Sequence, residues 1–67
     1  MNLGKYQHYK GNFYEVIGVA RHSETFEDLV IYRAIEGDNE MWARPMDMFL
    51  EKVVINDEVL LRFRFIE

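Results

Sequence analysis

Tyr9-Lys10-Gly11-Asn12-Phe13-Tyr14-Glu15-Val16-Ile17-Gly18-Val19-Ala20-Arg21-His22-Ser23-Glu24-Thr25 is the stretch on which the fold turns. Lys10-Gly11-Asn12 reads as a tight connection, because Gly and Asn adopt positive φ at little steric cost. Residues 13–20 are β-branched and aromatic almost throughout, the composition of a strand. Strict alternation fails there: Phe13, Ile17 and Val19 fall on one face and Tyr14, Val16 and Ala20 on the other. A strand apolar on both faces is a central one. A glycine in its middle marks a bulge or a sharp bend. Gly18 is therefore expected to bend the strand so that it serves two sheets.

Outward from this stretch, residues 4–9 read as a first strand, and residues 22–28 as a polar loop. Residues 29–36 form a further strand, Gly37-Asp38-Asn39-Glu40 a hairpin turn, and residues 41–44 a short return strand. Pro45 has no N–H to donate and favours the first turn of a helix, so residues 45–50 are expected to make one helical turn. Residues 51–55, a turn at Asn56-Asp57, and residues 58–66 complete the chain. The last segment alternates cleanly, with Val59, Leu61, Phe63 and Phe65 against Leu60, Arg62, Arg64 and Ile66. Five to six short strands with tight turns predict a single all-β domain over residues 1–67: a small, strongly bent barrel, SH3-like, with an OB-like barrel the lesser choice at this length.

Composition narrows the function classes. Cysteine is absent, which excludes disulfides, thiolate metal sites and thiol catalysis. A net charge of −4 works against non-specific attraction to nucleic acid or anionic lipid. Residues 1–5 lack the apolar run and small-residue cleavage site of an export signal, and no apolar run approaches the ~20 residues that span a bilayer. The cytoplasm is the expected location. A chain of 67 residues buries little core, so completion by a second copy is a live option.

Tyr6-x-His8-Tyr9-Lys10-Gly11, Tyr14-Glu15-Val16, Gly18-x-Ala20-x-His22-Ser23-Glu24-Thr25, Tyr32-Arg33 and Trp42-x-Arg44-Pro45-x-x-Met48-Phe49 occur in one order. This series resembles a family of short bacterial proteins known as domain of unknown function 1653, most strongly over residues 4–53. The resemblance implies a compact β-rich domain that often forms the whole protein. It implies no activity, cofactor or catalytic residue.

No catalytic signature, glycine-rich phosphate loop or metal-ligand spacing is present, and no cofactor is expected. Arg21-His22-Ser23-Glu24-Thr25 holds residue types of acid–base chemistry, but neighbours on a strand point to opposite faces. The better reading is a loop knot in which Ser23, Thr25 and Glu24 satisfy backbone N–H groups. His8, His22 and Glu24 would suffice for a zinc or nickel site only if the turn at Gly11 brings the two imidazoles together. Tyr32, Trp42 and Arg44 are better suited to recognition. Aromatic side chains beside an arginine clamp an extended peptide or stack on a nucleobase. The alternative is that Trp42 seals one end of the barrel while Arg44 pairs with Glu36 or Glu40. Arg62 and Arg64, with Arg33, would suit RNA, but the net charge favours a solvated strand face.

The residues thus point to a non-catalytic binding module for a peptide, protein or RNA partner. Tyr32, Trp42 and Arg44 would carry the contacts, with His22 and Glu24 at the rim. A metal-dependent or acid–base site on His8, His22 and Glu24, and a structural homo-oligomer, are the competing classes.

Overall fold

Residues tolerant of positive φ set the chain reversals in the computed structural model, which describes residues 1–67. Gly11 (φ 110°), Gly37 (φ 126°) and the pair Asn56 (φ 50°) and Asp57 (φ 64°) occupy the left-handed region. Between them lie β1 (Gly4–His8), β2 (Phe13–Arg21), β3 (Asp28–Ala34), β4 (Met41–Pro45), the helical turn α1 (Met46–Phe49), β5 (Lys52–Ile55), β6 (Glu58–Leu61) and β7 (Phe63–Phe65). The protein is all-β, with two antiparallel sheets. One has five strands in the order β4-β3-β2-β1-β7, and the other is the β5–β6 hairpin. The helical turn lies where Pro45 predicts it. No helix is long and apolar enough to cross a membrane.

Gly18 does mark a bulge. The β2–β3 register runs Val16↔Tyr32 and then Gly18↔Ile31, which leaves Ile17 as the extra residue. The bulge shifts the pleat so that Val19, opposite Val30, lies on the same face as Val16 and Tyr32. Yet β2 remains in one sheet from end to end, against the expectation that it would serve two. The segment that divides is the last one. It breaks at Arg62, whose N–H donates to Glu51 O (2.9 Å) while its carbonyl accepts from Tyr9 N–H (3.0 Å). Residues 58–61 therefore pair with β5, and residues 63–65 pair with β1 through His8↔Phe63 and Tyr6↔Phe65.

The five-stranded sheet curls without closing. Its edge strands β4 and β7 do not pair, so the strongly bent sheet expected of an SH3-like barrel does not close into a barrel. Side chains bridge the gap instead. Phe49 of α1 stacks on Phe63 of β7 with ring centroids 4.1 Å apart and planes 3° from parallel. The Arg44 guanidinium of β4 lies 5.6 Å from the same Phe63 ring. Between them sits the core: Tyr6, Val16, Val30, Tyr32, Phe49 and Phe63 are the buried residues, with Tyr14 and Met46 packed against them. Edge-to-face contacts link Tyr6 to Phe49 (5.4 Å), and Tyr32 to both Phe49 (5.4 Å) and Phe63 (5.6 Å). Such pairs add about 0.5–1.5 kcal/mol each beyond area burial, a large contribution in so small a core. The Tyr6 hydroxyl donates to Asn2 O (2.7 Å), and burial raises its pKa.

Candidate functional site

The β3–β4 ladder pairs Tyr32 with Trp42 and Val30 with Arg44. Trp42, Arg44 and Tyr32 therefore share the concave face of the curled sheet, as the recognition reading requires. Their environments differ. Tyr32 is buried, Arg44 half-buried and Trp42 exposed, with 52% of its surface accessible. Trp42 accordingly does not seal the core; that task falls to Phe49 and Phe63. Neither does Arg44 pair with Glu36 or Glu40: the ion pairs are Arg21–Asp28, Arg33–Glu15 and Arg62–Glu51. Arg44 is held over an aromatic ring with no carboxylate at ion-pair distance. Strand β4 is also a sheet edge, so one side of its backbone is unpaired.

Lys10, Arg44 and Arg62 gather around His8 on one side of the core. His8, on β1, packs edge-to-face on Phe63 (4.9 Å) and near Tyr14 (6.3 Å). Its Nδ1 accepts the Lys10 N–H (3.1 Å). Burial first, then the charges of Lys10, Arg44 and Arg62, lower its pKa. Arg62 Nε is buried without a partner, although its terminal nitrogen reaches Glu51 (3.3 Å). A chain of net charge −4 thus places the Arg44 and Arg62 guanidinium groups near the uncharged rings of His8, Tyr14 and Tyr32. Phe63 was no candidate in the sequence, yet its ring carries both Arg44 and His8. Its place on the apolar face of residues 59–65 was a readable signal. That β7 returns beside β1 was not.

His22 and Glu24 lie elsewhere. His22 follows the far end of β2, whereas Trp42 sits opposite Tyr32, four positions from Asp28 at the other end of that ladder. His22 is part of the loop knot. Its Nδ1 accepts the N–H groups of Glu24 (3.1 Å) and Thr25 (3.3 Å), and Thr25 Oγ1 accepts from Glu27 N–H (3.3 Å). The knot was expected, but the imidazole takes the role assigned to Ser23 and Glu24. Glu24 is exposed. His8 and His22 flank opposite ends of β2, roughly 25 Å apart at the rise of an extended strand. They cannot hold one ion together with Glu24, and no group of three His, Asp or Glu side chains converges anywhere in the fold.

A family profile described as "Protein of unknown function (DUF1653)" matches residues 4–65. The chain belongs to the DUF1653 family. The match extends past residue 53 to include the β5–β6 hairpin and β7, so the split last segment lies within the family pattern. The chain is also similar to a crystal structure of a DUF1653 protein from Bordetella bronchiseptica. That likeness has 31% identity and a TM-score of 0.89, and covers 98% of this chain and 87% of the other. No curated protein matches the chain.

Proposed function

We propose that this DUF1653 domain is a non-catalytic binding module of the cytoplasm that takes an extended, acidic segment of a protein partner along the free edge of β4. The observation that carries the reading is Trp42, half of it exposed at an unpaired edge strand and two residues from Arg44, which has no counter-ion. An added strand would gain main-chain hydrogen bonds from β4. Trp42 would supply contact area and Arg44 would favour a carboxylate. Tyr32, opposite Trp42 in the ladder, is buried and does not touch the ligand, and His22 and Glu24 take no part.

A displayed library of short random peptides tests this. Peptides selected by the intact domain should be rich in Asp and Glu. Trp42→Ala and Arg44→Glu should each abolish capture while leaving the melting temperature within a few degrees of the parent. Selected peptides that bind Trp42→Ala as well as the parent would overturn the reading. So would a fold that collapses on that substitution. Retention of single-stranded RNA but of no peptide would replace the proposed ligand class.

A further inference from the structure

The hydrogen-bond parity of β3 fixes which backbone groups of β4 are free. Ile35 N–H donates to Phe13 O (3.1 Å) at one end of the β2–β3 ladder, and His22 N–H donates to Glu27 O (2.8 Å) at the other. Counting inward from either end, Leu29, Ile31 and Arg33 bond toward β2, which leaves Val30 and Tyr32 to bond toward β4. Their partners Arg44 and Trp42 therefore turn their N–H and C=O groups inward, to β3. Met41, Ala43 and Pro45 turn theirs outward, along an edge with no neighbouring strand, and no backbone bond outside the β3–β4 ladder runs to them. Pro45 fits this parity, since a missing N–H at an outward site breaks no ladder bond. Ala43, at the middle of the strand, is exposed.

Resting on strand addition at β4, we propose that the partner segment lies antiparallel to β4 and is recognised as an acidic residue followed two positions later by an apolar one. The residue between them sits opposite Ala43 and exchanges two N–H···O bonds with it. Its neighbours face Arg44 and Trp42 at non-hydrogen-bonded sites, where antiparallel Cα atoms approach to about 4.5 Å and side chains meet most closely. Those neighbours share the concave face with Arg44 and Trp42, because alternate residues of a strand lie on one side. Chain direction sets the order: Arg44 follows Trp42 in β4, so in an antiparallel partner the residue facing Arg44 comes first. An acid there meets a guanidinium that has no carboxylate at ion-pair distance. Moved along the edge it loses that match, since Trp42 carries no charge and Glu40 and Asp47 flank the strand at its two ends. The middle residue turns its side chain to the other face, beside the small Ala43, so proline is the residue excluded there, having no N–H to donate. A parallel partner would set no residue directly opposite Arg44 or Trp42, and its ladder would be the less stable one.

Trp42 is the only tryptophan of the chain, so its fluorescence reports on this edge without a label. Short blocked peptides of one composition, threonine throughout except for a glutamate and a valine two positions apart, are titrated into the intact chain. The peptide with glutamate before valine should bind about tenfold more tightly than the peptide with valine before glutamate, the loss expected for one charge-assisted hydrogen bond. Proline at the middle position of the tighter peptide should abolish binding. Arg44→Glu should reverse the preference at one position, losing the glutamate peptide and taking the same peptide with lysine in its place. Because the two orders are compared on the unmutated chain, that result does not depend on a variant folding. Equal binding of the two orders, or tighter binding of the reversed one, would overturn the register and direction while leaving strand addition at β4 in place. So would a middle proline that binds as well as threonine. Peptides that leave Trp42 emission unchanged in either order would overturn both.

Discussion

Valine occupies equivalent positions in two parts of this protein, with opposite outcomes. Val16 and Val30 in the curled sheet are 2% and 0% exposed, whereas Val54 and Val59 in the β5–β6 hairpin are 68% and 63% exposed. Both regions are antiparallel, both alternate, and both turn on residues with positive φ. The difference is the layer laid over them. Phe49 and Phe63 cover Val16, Val30 and their neighbours, and nothing covers the outer face of the hairpin. An apolar strand pattern therefore specifies a pleated surface, and a second element decides whether that surface becomes core. The covered surface supplies stability. The uncovered ones lie on the β5–β6 hairpin and around Trp42 on β4.

The contrast breaks first at Phe63. Phe63→Ala removes the ring that meets Phe49, Tyr32, Tyr14, His8 and Arg44, and should cost about 3–5 kcal/mol. A domain of this size holds only about 3–10 kcal/mol in total, so urea titration should find the variant largely unfolded or close to it. The seam between β1 and the C-terminal residues comes next. Gly4 has φ 124°, and a Cβ there would lie 2.6 Å from the Glu67 carbonyl oxygen, which accepts the Lys5 N–H. Gly4→Ala should cost about 1–3 kcal/mol in the same titration, with strain and lost pairing both contributing.

A smaller loss should come from pH. The folded-state pKa of His8 lies below the ordinary 6.5, so the unfolded chain binds more protons between that lowered value and 6.5. Stability should be level with respect to this group above 6.5 and fall as pH drops through the window. Protonation would also cost His8 Nδ1 its role as acceptor for Lys10 N–H. His8→Gln should flatten this part of the pH dependence; an unchanged slope would show that the imidazole is not held neutral. The smallest effect belongs to the hairpin. Val54→Thr keeps β-branching on an exposed position and should move stability by no more than about 0.5 kcal/mol in the monomer.

Much of this division was legible in the residues, and its boundary was not. Gly11-Asn12, Gly37 and Asn56-Asp57 announced the reversals because their conformational tolerance is local. Pro45 announced the helical turn for the same reason. Gly18 announced a bulge but not its consequence, since a bulge bends a strand without moving it to a new sheet. The break at Arg62 was hidden because residues 59–65 alternate without interruption. Pleat period is the same whether a strand has one set of partners or two. Only the return of β7 to His8 and Tyr6, a long-range pairing, separates Leu61 from Phe63. Within the candidate site, Tyr32, Trp42 and Arg44 were brought to one face because β3 and β4 are joined by a short loop. His8, His22 and Glu24 were not brought together, because β2 is long and lies between them.

Hydrogen exchange on the monomeric protein tests most directly whether stability resides in the covered sheet and not in the hairpin. The ladder amides of β2 and β3 should exchange only through global unfolding, and those of β5 and β6 should exchange many-fold faster through local opening. Equal protection in the two regions would contradict the account, because it would make the hairpin part of the same cooperative core.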